Sequence, residues 1–222
     1  MTVNIDAANK AEYAYHKIEK LIVFRELTPG SMISEKQLCE RLDLGRTPVR
    51  EALQRLSYEG MVEIHPRRGI MVPMISLETQ LKILEVRRDI EALCVKFAAM
   101  RASEAQKKRM VEMGKELIEC ANNQDDHQFA ELLKNIHLIL VEAANNEYLQ
   151  LAIIPLQGLS RRFWFAYKNQ NSDLKMAARC HSKILKHIVY ADALGAIQAA
   201  YELNDYLSHM AHNTVKMSPK TF

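Results

Sequence analysis

From Leu77 onward, no stretch of the chain alternates apolar and polar residues as a half-buried strand does. Apolar positions recur instead at helical spacing through six segments, near 77–101, 103–122, 125–144, 147–168, 173–191 and 193–214. Joints such as "NNQDD" and "NQNSD" are short and polar, so neighbouring helices must run antiparallel. This pattern restricts residues 75–222 to an antiparallel all-helical bundle, without any internal repeat. Pro155 falls inside the fourth segment and is expected to bend or split it.

The N-terminal part reads differently. Residues 1–10 are polar and unpatterned, and are taken as a mobile arm. Between about 11 and 27, Tyr15, Ile18, Leu21 and Ile22 keep helical spacing, and "TPGSMIS" then supplies turn chemistry. Ser34 caps a short helix, "EKQLCERL", whose inner face is Leu38 and Leu42. "DLGRT" is a tight turn in which Gly45 is available for a positive φ. A second helix follows from about Pro48 to Glu59 and stops at Gly60. "MVEIHPRRGIMV" predicts two strands, about 61–65 and 70–72, around a basic tip. Residues 11–74 therefore form a winged helix-turn-helix domain, and the whole chain is mostly α.

Composition excludes several classes. In 222 residues, 48% are hydrophobic and 26% charged, an ordinary globular balance. The start, "MTVNIDAANK", has no apolar core of a secretion signal, and no apolar run reaches membrane-spanning length. Four scattered cysteines without a CxxC pair fit reduced thiols in a cytoplasm. HExxH, a nucleophile elbow and a phosphate-cradling glycine loop are all absent, which argues against an enzyme.

A net charge of +3 does not by itself announce a nucleic-acid partner. Residues 33–72 hold seven Lys/Arg against six Asp/Glu, so placement carries the argument. In "GRTPVREALQRL", Arg46 and Arg50 lie one turn apart at a helix start, opposite an apolar stripe of Val49, Leu53 and Leu56. Guanidinium forks there can enter a major groove and meet guanine or phosphate. Lys36, Arg67 and Arg68 can converge with them. A solvated helix with surface ion pairs is the alternative.

The stretch "SEKQLCERLDLGRTPVREALQRLSYEGMVEIHPRRGIMV" resembles the winged-helix domain of the GntR family of bacterial transcription regulators. The resemblance implies that Lys36, Arg46, Thr47 and Arg50 contact operator bases and phosphates, and that Arg68 and Gly69 reach a groove edge from the wing. Lys36 stands where the family often has arginine, which implies looser readout there.

In the helical part, Arg87 falls on the apolar stripe Ile83, Ile90, Cys94 and Phe97 and must find an anionic partner. An internal acid, Glu91 or Glu131, is preferred over a carboxylate ligand. His137 borders the apolar stripe Phe129, Leu133, Ile136 and Leu140, and His181 lies on another, either as hydrogen-bonded core residues or as a pair meeting at a cavity. Arg161, Arg162 and Trp164 in "SRRFWF" fit a pocket lining and a dimer or domain contact equally. His187 and His212 read as surface or packing residues.

"EVRRDIEAL", "IHLILVEAANNEYL" and "CHSKILKHIVYADALGAIQAA" resemble the FCD-type (FadR-like) effector domain that often follows this winged helix. Many members hold a divalent metal, zinc or nickel, on one aspartate and three histidines beside a pocket for a small organic acid. His137 and His181 match two of these ligands, but Leu133 and Leu203 stand where the others belong. Asn204 and His209 are close in sequence without the right spacing. No cofactor is therefore expected, and the resemblance implies an effector pocket of Arg87, His137 and His181. The expected protein is a homodimeric regulator of operator DNA, most often a repressor in this family, answering to a small carboxylate. A merely structural helical domain, or a metal-assisted hydrolase using the two histidines, are the alternatives.

Overall fold

The computed structural model describes residues 7–168 and 171–217. These residues cluster into two compact units, one of residues up to Ser76 together with Gly158–Ala166, the other of Leu77–Gln157 and the chain from Tyr167.

The first unit begins with α1 (Ala7–Val23), so the arm expected over residues 1–10 is already helical from Ala7, and its earlier part lies outside the described residues. Ala14, Tyr15, Ile18 and Ile22 lie on the buried face of α1. β1 (Met32–Ile33) follows, then α2 (Glu35–Leu42) and α3 (Arg46–Tyr58). Ser34 and Gln37 close a reciprocal capping box on α2: Gln37 N–H donates to the serine hydroxyl, and the Gln37 side chain accepts from Ser34 N–H. Asp43 ends α2 in the left-handed region, at φ 52°. Gly45 has an ordinary φ of −68°, contrary to expectation, and serves as the N-cap of α3. Asp tolerates the left-handed conformation well enough to make the turn one residue pair earlier.

Val49, Ala52, Leu53 and Leu56 of α3 pack into one core with Ile18, Ile22 and Leu38. Each valine, leucine or isoleucine among them contributes about 2 kcal/mol when fully buried. Pro48 sits in the first turn of α3, where its missing N–H breaks no helical bond. β2 (Glu63–His65) and β3 (Gly69–Met71) form the wing, pairing Ile64 with Ile70 in antiparallel register. β1 adds to the far side of β3, giving the order β1-β3-β2. This third strand was read as part of a turn. Two residues are too short for any alternation to register, and only the ladder Met32–Met71 and Ile33–Ile70 defines it.

The second unit is helical throughout: α4 (Leu77–Arg101), α5 (Glu104–Asn123), α6 (Asp126–Ala144), α8 (Asn171–Val189) and α9 (Ala193–Met217), with the first half of α7 (Glu147–Tyr167). α4 packs against α9, α6 and α8, while α5 packs against α8 and α6. α7 runs unbroken through Pro155, so the expected split does not occur. Within the stretch 75–222 expected as one bundle, Gly158–Ala166 of α7 groups with the winged-helix unit. No helix among the described residues is long and apolar enough to cross a membrane.

Candidate nucleic-acid interface and buried polar cluster

Burying Val49, Leu53 and Leu56 turns the opposite face of α3 outward, and Arg46, Thr47 and Arg50 are all exposed on it. Arg46 makes no hydrogen bond or ion pair among the described residues. Arg50 reaches back to α2, donating to the Glu35 carboxylate from Nη2 at 2.9 Å and Nε at 3.3 Å. That pairing raises the Arg50 pKa, chiefly through the hydrogen bond. Lys36, on the exposed face of α2, stands 3.8 Å from Glu40. The glycine N-cap supplies no side-chain hydrogen bond to α3, so the helix N-terminus keeps free N–H groups that favour an anion.

The wing presents its basic tip through turn geometry. Arg68 N–H donates to His65 O at 3.0 Å, across Pro66 and a left-handed Arg67 at φ 64°. Proline first and a positive φ second is the type II pattern, and it leaves Arg67 and Arg68 exposed. Gly69 follows at φ 116°, where an added Cβ would stand 2.8 Å from the Ile33 carbonyl oxygen. Its role in the fold is thus to let β1 approach the wing. All six residues expected at an operator lie in this one unit, five of them exposed and Gly69 half-buried.

In the helical unit, four helices bring polar groups together in the interior. Arg87 on α4 is 2% exposed and Glu91, one turn on, is 4% exposed. Arg87 Nε donates to Glu91 Oε2 at 2.8 Å, and Nη2 donates to the same oxygen. Gln157 on α7 donates to the other carboxylate oxygen at 3.3 Å. The internal acid is therefore Glu91, and Glu131 is exposed. His137 on α6 and His181 on α8 are both buried, with ring centroids 5.5 Å apart. Two stripes that looked independent in the sequence thus meet.

His181 Nδ1 lies 2.8 Å from Ala177 O, an acceptor only, so this nitrogen carries the proton. Burial pushes the His181 pKa down, with Glu91 and Arg87 acting on it in opposite directions, and the ring is neutral at pH 7. Its Nε2 is then a lone-pair acceptor, buried and without a hydrogen-bond partner among the described residues. Leu133 and Leu203 are buried hydrocarbon at 5% and 1% exposure. Asn204 donates its amide to Leu84 O at 3.1 Å, and His209 is exposed. Among the described residues no group of three or more His, Cys, Asp or Glu side chains is placed to hold a metal. Leu133 and Leu203 offer no donor atom to an ion, whereas His137 and His181 each offer an imidazole. A groove of about 280 Å³ between α5 and α8, lined by Met110, Ile118, Leu185 and Lys186 among others, shares none of these cluster residues.

Sequence reasoning left "SRRFWF" open, and the structure places it in the winged-helix unit. Arg161 pairs with the buried Glu19 of α1, Arg162 donates to Pro73 O, and Phe165 stacks at a tilt on Phe24 with centroids 5.3 Å apart. Trp164 is buried edge-on to Phe165. Gln157 and Glu19 escaped notice. Each is a polar residue on an otherwise apolar helical face, the same signal that exposed Arg87. The half-buried His187 bonds Asp192, and the exposed His212 bonds Ser208 O.

A winged helix with an exposed arginine face thus precedes, along the chain, a helical unit with a buried polar cluster. The chain belongs to the GntR family of bacterial regulatory proteins: that family's model matches residues 10–72, and the FCD domain model matches residues 82–205. Two relatives are HTH-type transcriptional regulators. YdhC of Bacillus subtilis (strain 168) is 26% identical over 140 residues, 61% of each chain. The repressor RspR of Escherichia coli (strain K12) is 28% identical over 179 residues, 80% of this chain and 78% of RspR. The chain thus matches less than two thirds of YdhC's length. E. coli McbR/YncC shares the fold at a TM-score of 0.77 and 18% identity, over 93% of this chain and 98% of that one.

Proposed function

We propose that this GntR-family regulator is a homodimeric repressor, working in the cytoplasm, that releases its operator when a small organic acid enters the helical unit. The observation that carries the DNA half is the unpaired Arg46 beside Arg50 on the outward face of an uncapped α3, with the basic wing tip in the same unit. Arg46 and Arg50 read base edges, while Lys36, Thr47 and Arg68 hold phosphates and Gly69 keeps the wing in shape. Before DNA arrives, Glu35 occupies Arg50, so docking exchanges that carboxylate for the acceptors of a base edge.

The effector half rests on Arg87, His137 and His181. An acid's carboxylate takes the place of Glu91 on Arg87. The buried Nε2 lone pair of His181 asks for a donor, which favours an acid that also carries a hydroxyl. Binding rather than turnover is the work of this site, and no resident metal takes part. α7 carries the signal: Gln157 bonds Glu91 in the helical unit, and one helical turn later Arg161 pairs with Glu19 in the winged-helix unit. Ligand control requires the acid to bind one arrangement better than the other.

The test is binding to the DNA upstream of its own and neighbouring genes, followed by fluorescence anisotropy. Arg46→Ala and Arg50→Ala should each abolish specific binding with unchanged circular dichroism and unchanged acid-induced stabilisation. Full operator affinity in both variants would remove α3 as the reading helix. Failure of every acid in a hydroxy-acid panel to shift thermal unfolding would leave the helical unit a structural one. Elemental analysis showing one tightly held metal per chain would overturn the metal-free reading.

A further inference from the structure

Three arginines are buried among the described residues, and two have carboxylates: Arg87 has Glu91 and Arg161 has Glu19. Arg162 has none. It is 4% exposed, and its only hydrogen-bond acceptor among the described residues is the neutral carbonyl of Pro73, which takes Nη2. Nη1 is also buried and bonds to nothing there. A guanidinium removed from water keeps its charge, so a partnerless one is among the costliest groups a core can contain.

A second like charge makes matters worse. Arg25 lies close enough that it and burial together push the Arg162 pKa down to about 10, burial being the larger cause. Even so, Arg162 remains a cation at neutral pH. Arg25 itself sits just beyond α1 in the left-handed region at φ 59°, exposed, without an ion pair among the described residues. Arg162 inside the winged-helix unit and Arg25 at its surface thus repel one another as like charges, with no carboxylate on either among the described residues.

We propose that Arg162 and Arg25 together hold a small oxyanion, a carboxylate or phosphate, in the winged-helix unit. The buried Nη1 supplies a directed donor, and Arg25 closes over the ion from solvent in the manner of paired guanidinium clamps. The site shares no residue with the Arg87, His137 and His181 cluster. Because Arg162 also holds Pro73, at the start of the segment leading to α4, a bound anion ties that segment to α7.

Isothermal titration and thermal unfolding of the full chain would test this, with inorganic phosphate and with acetate against sodium chloride at matched ionic strength. The wild type should bind one phosphate or acetate per chain at a site lost in Arg25→Gln and in Arg162→Met, and saturation should raise the melting temperature by several degrees. Arg25 is exposed, so Arg25→Gln keeps the test valid should Arg162→Met fail to fold. That variant should weaken affinity at least tenfold. A phosphate-only response identifies phosphate as the ligand class, and a response to both identifies any small oxyanion. Equal melting temperatures in all three salts, or saturable binding unchanged in Arg25→Gln, would overturn the assignment.

Discussion

Arg87 and Glu91 show how a buried charge decides what a site can do. Each is nearly inaccessible to water, and each has the other as its counter-charge. Removing one partner strands the second, which typically costs about 3–5 kcal/mol, whereas replacing both with hydrocarbon is often neutral. Arg87→Met should therefore destabilise the protein by about that amount in urea titrations. The double variant Arg87→Met/Glu91→Leu should recover most of the loss. Acid binding should be absent in both, which separates stability from ligand recognition at this residue pair. A double variant no more stable than Arg87→Met alone would show that the pair is not an isolated charge couple.

At the level of elements, the start of α9 is held by one side chain. Asp192 accepts from Gly195 N–H at 2.9 Å and from His187 Nδ1 at 2.8 Å, and these two contacts, the backbone one first, hold its carboxyl below the usual range. A depressed folded-state pKa contributes stability that is complete above the unfolded value, near 4, and vanishes as pH falls through the folded one. Compared with Asp192→Ala, the wild type should be the more stable at neutral pH, and the difference should disappear once pH has fallen through the folded-state value. A gap that persists in strong acid would assign the cap to something other than the carboxylate. α7 offers the second prediction at this scale. Gln157→Leu deletes the donor to Glu91 while leaving Arg161 in place, so acid binding and operator binding should each survive, and the acid should no longer release DNA. Unaltered release would move the signal to another helix.

Across the whole molecule, the sequence was informative wherever one element sufficed. Helical periodicity locates the bundle helices, and the positions of Arg87 and His181 on apolar stripes, with His137 beside one, mark them as buried. Contacts between distant segments were not legible. Nothing in "SRRFWF" says that its apolar and cationic faces meet α1 rather than the other bundle helices, because periodicity reports that a face is covered and not by what. β1 was missed for a related reason: its identity resides in a ladder to residues about forty positions away. The same long-range dependence predicts the behaviour of fragments. Residues 1–76 alone should unfold at lower denaturant than the winged-helix unit does in the intact chain, because Glu19 loses Arg161 and Phe24 loses Phe165. Equal midpoints would show that Gly158–Ala166 adds nothing to this unit. Chimaeras that graft this reading head onto another sensor at residue 76 would inherit the mismatch. A faithful transplant has to carry two patches of the gene, the second more than eighty codons downstream of the first.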